Sequence, residues 1–212
     1  METRILLLRH GQSVANIEKF FAGRTDIPLT ALGEEQARMA AESLKDLHLD
    51  RIFSSPLERA KLTALPFATA RGLEIEIIPE LIEWCAGKWE GMHFDDLKEA
   101  FPEEYYYWKN DVSHLRMPSG ESGYEVRERV GRALEGLCEK CKGQTVLVAC
   151  HGGVIKTVPS YFAGCDDKLF NQTKVPGNCS ITEVVFENGV GSVARYSDDS
   201  HLGNIKSEAF II

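Results

Sequence analysis

The sequence predicts an α/β protein, a three-layer sandwich in which helices cover both faces of a mostly parallel central sheet. Short apolar runs alternate with amphipathic helical segments in the order βαβαβ, with further helices added. The first run, Ile5 to Leu8, is continuously apolar, which is typical of a strand buried on both faces. At 212 residues the chain is long enough for one substantial core, so we assign residues 1–212 to a single domain.

Three strands and two helices are predicted in the first half of the chain. The strands are the run at 5–8, "DRIFSS" and "EIEII". "LTALGEEQARMAAESLKDL" is predicted to be a helix with Thr30 as its N-cap, and its buried stripe consists of Ala37, Ala40, Ala41, Leu44 and Leu47. The second helix begins in "SSPLERAKLTA", which has the pattern of a capping box with Ser55 at the N-cap.

The second half continues the alternation and then ends in a hairpin. "TVLVAC" at 145–150 is the fourth strand, and the helix before it has an apolar face and ends at Gly143. "SITEVVFENGVGSVARYS" predicts an antiparallel hairpin that turns at Asn188 and Gly189. Residues 92–122, with two prolines and three consecutive tyrosines, are the least regular stretch. We expect them to form a substrate-facing insertion or lid.

Composition excludes several classes of function. No apolar stretch is long enough to span a bilayer, and the N-terminal apolar run is too short for a signal peptide. Six scattered cysteines do not suggest a disulfide framework, so we expect a cytoplasmic protein. The net charge of −8 argues against nucleic-acid or anionic membrane partners. Any anion must therefore bind at a local site. Nothing in the sequence indicates the oligomeric state.

Two predicted strands end in the same way, with a histidine followed by glycine. "ILLLRHGQS" carries His10, and "TVLVACHGG" carries His151. The carboxyl ends of parallel strands meet at one edge of a sheet, so we expect both rings at the same site. A single histidine is more often a structural residue than a catalyst, but two at equivalent strand ends favour catalysis.

Two arginines complete a predicted anion site. Arg9 precedes His10, and Arg59 lies in the first turn of its helix, where its charge meets the positive end of the helix dipole. A lone arginine there would ordinarily face solvent. Together with the strand-end groups, Arg59 is better explained by a bound phosphate.

An acidic segment follows the third strand. "PELIEWCAGKWEG" contains Glu80, Glu83 and Glu90, and Glu83 lies between Ile82 and Trp84. An apolar setting favours the protonated form of a carboxyl group, which suits a proton donor. Solvated loop carboxylates are far commoner, so the residues alone leave the role of Glu83 open.

These motifs resemble the histidine phosphatase superfamily, whose members include phosphatases and phosphoglycerate mutases. "RHGQSVAN", "GRTDIPLTALGEEQA", "SSPLERAKLTA", "LIEWCAGKWEG" and "HGG" occur in the family's order and cover nearly the whole chain, and "SGES" and "NCSIT" are similar to weaker family patterns. The resemblance implies a phosphoglycerate mutase-like fold. It also implies that His10 is a nucleophile that becomes a phosphohistidine, that Arg9, Arg59 and His151 hold the phosphoryl oxygens, and that Glu83 is the proton donor.

The resemblance implies further substrate-binding residues: Asn16, Gly23, Arg24 and Gly152. Many members have tryptophan where this chain has Arg24, which either contacts a second anionic group or faces solvent. We also expect Gly11 and Gly152 to let the backbone approach the phosphate closely.

The expected reaction is hydrolysis of a small phosphomonoester. Fixed guanidinium groups can stabilise the transferring phosphoryl group, so we expect no metal and no other cofactor. Family mutases resemble longer chains with an extra segment between the acid and the second histidine, which this chain lacks. A mutase, or less favourably a non-catalytic phosphate-binding module, remains the alternative. Phosphoglycerate, a sugar phosphate and a nucleotide-like ester are all compatible substrates.

Overall fold

A six-stranded mixed sheet forms the centre of the molecule. The computed structural model describes residues 1–207. Its strands are β1 (Glu2–Arg9), β2 (Arg51–Ser54), β3 (Ile75–Ile77), β4 (Thr145–Cys150), β5 (Ile181–Glu187) and β6 (Val190–Asp198). Their order across the sheet is β3-β2-β4-β1-β5-β6. Strands β1 to β4 pair in parallel, and β5 runs antiparallel to both β1 and β6. The predicted α/β class with a mostly parallel sheet is confirmed.

Helices cover both faces of this sheet. Within the described residues they are α1 (Val14–Glu18), α2 (Ala31–Ser43), α3 (Glu58–Arg71), α4 (Leu97–Ala100), α5 (Pro102–Asn110), α6 (Gly123–Lys140), α7 (Gly152–Phe162) and α8 (Asp167–Gln172). Short 3-10 turns span Pro79–Leu81, Gly87–Trp89 and Ser200–Ile205. None of the described helices is long and apolar enough to cross a membrane.

The continuous apolar run of β1 serves two hydrophobic cores at once. Successive side chains of a strand point to opposite faces, so Ile5 and Leu7 enter the core beneath α6 and α7. Leu6 and Leu8 enter the core beneath α2 and α3. Full burial of all four side chains explains why the sequence shows no polar alternation here.

The strand register brings three strand ends side by side. In the parallel ladder Arg9 pairs with Cys150, and Ser54 pairs with Ala149. The next residues along the chain, His10, Ser55 and His151, therefore leave the sheet at one edge.

The structure confirms the predicted start of α2 and corrects the predicted start of α3. Thr30 caps α2 as predicted, because its side chain accepts from the Gly33 N–H at 3.0 Å. The predicted capping box at Ser55 is wrong, because α3 begins at Glu58 with Leu57 at the N-cap. The Ser55 hydroxyl lies 2.6 Å from Nε2 of His151 instead, and it also accepts a longer bond from the Leu57 N–H.

The stretch 92–122 is more regular than its composition indicates. It contains α4 and α5, and α5 carries the three tyrosines and Trp108. The Trp108 ring packs 5.2 Å from Phe21 and 5.5 Å from Phe94, measured between ring centroids.

At the far edge of the sheet the hairpin turns as predicted, with positive φ angles of 53° at Asn188 and 83° at Gly189.

Candidate active site

A cavity opens at the carboxyl ends of β1 and β4. Its polar lining contains most of the residues that the sequence indicates as functional. The polar side chains that line it are those of Arg9, His10, Ser13, Asn16, Arg59, Glu83 and Lys156. The sheet edge thus gathers residues from distant parts of the chain.

His10 is held in one tautomer at the floor of the cavity. Its Nδ1 lies 2.7 Å from the carbonyl oxygen of Gly11. A carbonyl can only accept a hydrogen bond, so Nδ1 carries the proton and Nε2 keeps its lone pair. Burial, reinforced by the charges of Arg59 and Arg9, lowers the pKa of His10 well below its ordinary value. The ring is therefore neutral and can act as a nucleophile.

His151 lies beside this ring, and the two ring centroids are 5.4 Å apart. Its Nε2 is 2.6 Å from Oγ of Ser55. That oxygen accepts the Leu57 N–H, so we assign the hydroxyl proton to the bond with His151. Nδ1 of His151 then carries a proton, and it is buried without a partner. Such an orphaned donor is costly, and a phosphoryl oxygen could accept its hydrogen bond.

The two arginines concentrate positive charge beside these rings. Arg59 donates to the carbonyl oxygens of Ala22, Gly23 and Thr25 at 2.7 to 3.0 Å. Arg9 donates to the Pro176 carbonyl, while its Nε is buried without a partner. Burial lowers the pKa of Arg9 to about 10.

Neither guanidinium forms a salt bridge with a neighbouring acid, although the charge of Glu83 raises the pKa of both against the effect of burial. None of the salt bridges within residues 1–207 includes Arg9 or Arg59. Two buried, unpaired cations beside an orphaned N–H donor form a site that suits a dianionic phosphate ester.

Glu83 enters the cavity from the loop after β3. Its Oε1 accepts the N–H of Trp84 at 2.9 Å, and its Oε2 accepts the N–H of Gly153 at 3.1 Å. The second bond ties the carboxyl group to the first turn of α7, next to His151. The setting is thus less apolar than the sequence indicates, and the acid is fixed by backbone donors.

Asn16 lines the cavity, and its amide oxygen is occupied by protein donors. Its Oδ1 already accepts from the Ser13 N–H at 3.0 Å and from Nδ2 of Asn178 at 3.1 Å. The Nδ2 group of Asn16 is the part left to donate into the cavity. Asn178 also donates to the carbonyl oxygen of His10 at 3.0 Å.

Arg24 is placed differently from the other predicted residues. It does not line the cavity, and its guanidinium lies 3.3 Å from a carboxylate oxygen of Glu121. The structure therefore brings together Arg9, His10, Asn16, Gly23, Arg59, Glu83 and Gly152 along the cavity, with His151 fully buried behind them.

Comparison with known sequences identifies the family. The profile of the histidine phosphatase superfamily (branch 1) matches residues 5–199. The chain belongs to this superfamily. The resemblance drawn from the motifs is confirmed.

Relatives within the superfamily carry several different names. Adenosylcobalamin/alpha-ribazole phosphatase of Escherichia coli (strain K12) is 35% identical over 176 residues, which cover 83% of this chain and 87% of that protein. A protein of Shigella boydii serotype 18 named a probable phosphoglycerate mutase is 33% identical over 94% of both chains. Among solved structures, a variant of Entamoeba histolytica phosphoserine phosphatase in complex with phosphoserine matches with a TM-score of 0.85 at 28% identity. That match covers 94% of this chain and 99% of the other.

Glu90 makes contacts that the sequence did not reveal. Its carboxylate accepts the N–H groups of Gly23 at 3.0 Å and Arg24 at 2.6 Å, and the Thr25 hydroxyl at 3.1 Å. This is the loop whose carbonyl oxygens hold Arg59. In the sequence Glu90 is only one of three glutamates in an acidic segment, so spacing offers no signal for this contact.

Ser55 and Lys156 are two further residues that sequence reasoning missed. Ser55 matches a capping pattern, which concealed its bond to His151. Lys156 follows His151 in α7, where a lysine ordinarily reaches solvent; here it is buried, lines the cavity and donates to the Thr173 carbonyl. Burial lowers the pKa of Lys156 to about 8.

The two glycines expected to face phosphate are required by protein packing. A Cβ on Gly11 would lie 2.3 Å from the Gly33 carbonyl oxygen, and one on Gly152 would lie 2.7 Å from Cγ1 of Val175. The expected reason for Gly11 is corrected: the backbones of two loops meet there. Gly152 lines the cavity, and a side chain there would also collide with Val175.

Proposed function

We propose that the protein is a phosphomonoester hydrolase that acts on a small phosphorylated metabolite through a phosphohistidine on His10. The observation that carries this proposal is the state of the His10 ring, with Nδ1 protonated toward Gly11 and Nε2 unprotonated. The buried guanidinium groups beside it support an anionic substrate. The relatives named as phosphatases of α-ribazole and of phosphoserine support the same class of substrate.

The first chemical step transfers the phosphoryl group to His10. The Nε2 lone pair attacks phosphorus, and the bond from phosphorus to the ester oxygen breaks. Glu83, protonated at this stage, gives its proton to the leaving oxygen, so a neutral alcohol departs. The Gly11 carbonyl stabilises the positive charge that develops on the phosphorylated ring through the bond to Nδ1.

The second step hydrolyses the phosphohistidine. The Glu83 carboxylate takes a proton from a water molecule, whose oxygen attacks phosphorus. The bond from phosphorus to nitrogen breaks, its electron pair returns to Nε2, and inorganic phosphate leaves. Glu83 is protonated again, so the enzyme returns to its starting state.

In both steps, side chains of the protein stabilise the negative charge on the transferring phosphoryl group. Arg9, Arg59, Asn16 and Nδ1–H of His151 would hold the equatorial phosphoryl oxygens. We propose that this reaction needs no metal ion or other cofactor. The buried guanidinium groups support that view, because they supply fixed charge where it develops. We also keep the expectation of a cytoplasmic protein, which the free thiol state of all the cysteines supports.

A phosphoglycerate mutase is the alternative function, and the relative named as a probable phosphoglycerate mutase supports it. In that reaction the phosphohistidine passes its phosphoryl group to a substrate hydroxyl rather than to water. Conversion of 3-phosphoglycerate to its 2-isomer, dependent on added bisphosphate, would reveal it.

The decisive experiment measures p-nitrophenyl phosphate hydrolysis with and without EDTA, in wild type and His10→Ala. We expect turnover that EDTA does not change and that the variant loses by at least about 10⁴-fold. A rapid quench in alkaline detergent with ³²P-labelled substrate should trap label on the wild-type protein, and later acid treatment should release that label. Turnover by His10→Ala at the wild-type rate would contradict the phosphohistidine. Absence of turnover on a panel of phosphomonoesters would favour a binding module.

A further inference from the structure

Away from its cationic end, the cavity is walled by apolar side chains. They are those of Phe20, Phe21, Phe94, Trp108, Val112 and Met117. The ring of Phe21 lies 4.9 Å from that of Phe94 and 5.2 Å from that of Trp108, so these rings form one continuous surface. Loop α1–α2 and the stretch 92–122 build this wall together. We call these six residues the aromatic wall.

The cavity has room for more than a phosphate group. It offers about 130 Å³ to the centres of water-sized groups. One bound water needs about 10 to 15 Å³ on that measure, so the five heavy atoms of a phosphate group take up about half of it. The remaining space is available to the alcohol part of a substrate, and the aromatic wall bounds it.

The aromatic wall itself carries no charged side chain. Arg9 and Arg59 lie at the phosphate end, and Lys156 is the one other cation among the described residues that line the cavity. The Lys156 amine donates to the Thr173 carbonyl, a neutral partner that leaves its positive charge in place. Arg24, which the sequence indicated as a possible contact for a second anion, is paired with Glu121 outside the cavity.

We propose, as an extension of the hydrolase function above on which it rests, that the substrate is a phosphomonoester of an alcohol with a bulky apolar, aromatic body. Aromatic surface that leaves water for the aromatic wall stabilises the complex through burial and ring packing. A carboxylate placed against the aromatic wall would lose its hydration without gaining a charged partner there. The wall therefore favours an uncharged body over a charged one.

The test uses esters of primary alcohols that differ only in their body. Ethyl, 2-phenylethyl and 2-(1-naphthyl)ethyl phosphate share one type of leaving oxygen, so their intrinsic reactivities are similar. Phosphoserine and 3-phosphoglycerate add a carboxylate. We expect kcat/KM for the naphthylethyl ester to exceed that for ethyl phosphate by about 10- to 100-fold, which is the effect of burying one large apolar side chain.

A pair of matched variants assigns the preference to the wall. Met117→Gln keeps the side-chain length but places an amide in the wall, and it should reduce the ratio between the two kcat/KM values by about tenfold. Met39→Gln makes the same change in α2, outside the cavity, and should leave the ratio unchanged. Thermal unfolding of both variants verifies that they are folded.

The possible failures are distinguishable. If phosphoserine or 3-phosphoglycerate is preferred over the naphthylethyl ester, or if Met117→Gln keeps the wild-type ratio, the inferred substrate class is wrong and the hydrolase mechanism stands. If none of the esters is hydrolysed, or if His10→Ala hydrolyses them as fast as wild type, the proposed function and this inference fail together.

Discussion

Nε2 of His151 lies 2.6 Å from the hydroxyl oxygen of Ser55, across the parallel pairing of β4 with β2. This contact decides which nitrogen of the second histidine can reach a phosphoryl oxygen. Because the hydroxyl satisfies Nε2, the protonated Nδ1 is the donor left over for a ligand. We therefore expect Ser55 to act on the proposed phosphate site through the tautomer of His151.

Removal of the Ser55 hydroxyl should weaken catalysis without unfolding the protein. In Ser55→Ala both tautomers of His151 become accessible, and only one donates to the phosphoryl group. We expect kcat/KM to fall by about 10- to 100-fold, the effect of one strong hydrogen bond. Steady-state kinetics with p-nitrophenyl phosphate measures this.

The neighbouring serine supplies the control. Ser54 is equally buried, but its hydroxyl donates to the backbone carbonyl of Ser55 at 2.8 Å. Ser54→Ala should lower stability slightly and leave kcat/KM within about threefold. Equal losses in the two variants would argue that Ser55 has only a structural role.

The buried histidines should make folding stability depend on pH. Burial lowers the pKa of both His10 and His151 well below the ordinary value of 6.5. Below about pH 6.5 these two histidines bind protons in the unfolded chain but stay neutral in the folded protein. The free energy of unfolding therefore falls as the pH falls. Each histidine contributes up to about 1.4 kcal/mol per pH unit until its folded-state pKa is reached.

Variants separate these contributions in denaturant titrations between pH 6.5 and pH 5. His10→Gln and His151→Gln should each make the pH dependence shallower by about 1 kcal/mol per unit. Carboxylates affect the stability at lower pH. For example, hydrogen bonds from Arg116 and from the Ser122 N–H hold the pKa of Glu125 at about 2, against an ordinary 4.5. A slope unchanged in both variants would be incompatible with neutral, buried rings.

The parts of the site that follow strands could be predicted from sequence, because a parallel sheet aligns the carboxyl ends of its strands. His10 and His151 are the clearest cases, since each follows a continuous apolar run. The aromatic wall was indicated only as a region, 92–122, because periodicity does not show how two short helices pack against Phe21.

Contacts that join distant loops could not be predicted in this way. Ser55 fits a capping pattern equally well, and only the position of β4 beside β2 gives its hydroxyl another partner. Glu90 and the loop at Gly23 are far apart in sequence, and no periodic pattern relates them. Such contacts depend on tertiary structure, where local propensity carries no information.

Gly153 lies against Glu83, the proposed proton donor, and its replacement should impair the first chemical step selectively. A Cβ at this position would lie 2.6 Å from Oε1 of Glu83, so the carboxyl group must move. In Gly153→Ala we expect kcat/KM for alkyl phosphates, which reports formation of the phosphohistidine, to fall by about 10- to 100-fold, because their leaving oxygen needs protonation. The effect on p-nitrophenyl phosphate, whose leaving group departs without a proton, should stay below about tenfold.

A second glycine in a helix provides the matched control. Gly136 lies in α6, and nothing outside that helix lies within 4 Å of the position that an added Cβ would take. Gly136→Ala should leave both activities unchanged and stabilise the fold by about 0.5 to 1 kcal/mol. If Gly153→Ala lowers kcat/KM equally for both types of ester, Glu83 does not serve as the donor to the leaving group.

Glu90 is expected to position Arg59 through the loop at 22–25. In Glu90→Gln only one side-chain oxygen remains to accept hydrogen bonds, and an NH₂ group replaces the other oxygen. That NH₂ group then faces an N–H or O–H donor whose hydrogen bond the wild-type carboxylate accepts. The loop carbonyls that orient Arg59 should then shift. We expect inhibition by inorganic phosphate to weaken by about tenfold, with a fall in kcat. Glu80→Gln, at an exposed site in the same segment, is the control.

A double-mutant cycle distinguishes positioning of Arg59 from general loosening of the loop. Arg59→Lys removes the planar group that the carbonyls of Ala22, Gly23 and Thr25 hold. If Glu90 acts through Arg59, the double variant should be little worse than Arg59→Lys alone, with a coupling free energy of about 1 to 2 kcal/mol in kcat/KM. Additive losses would mean that Glu90 supports the site by a route that does not pass through this arginine.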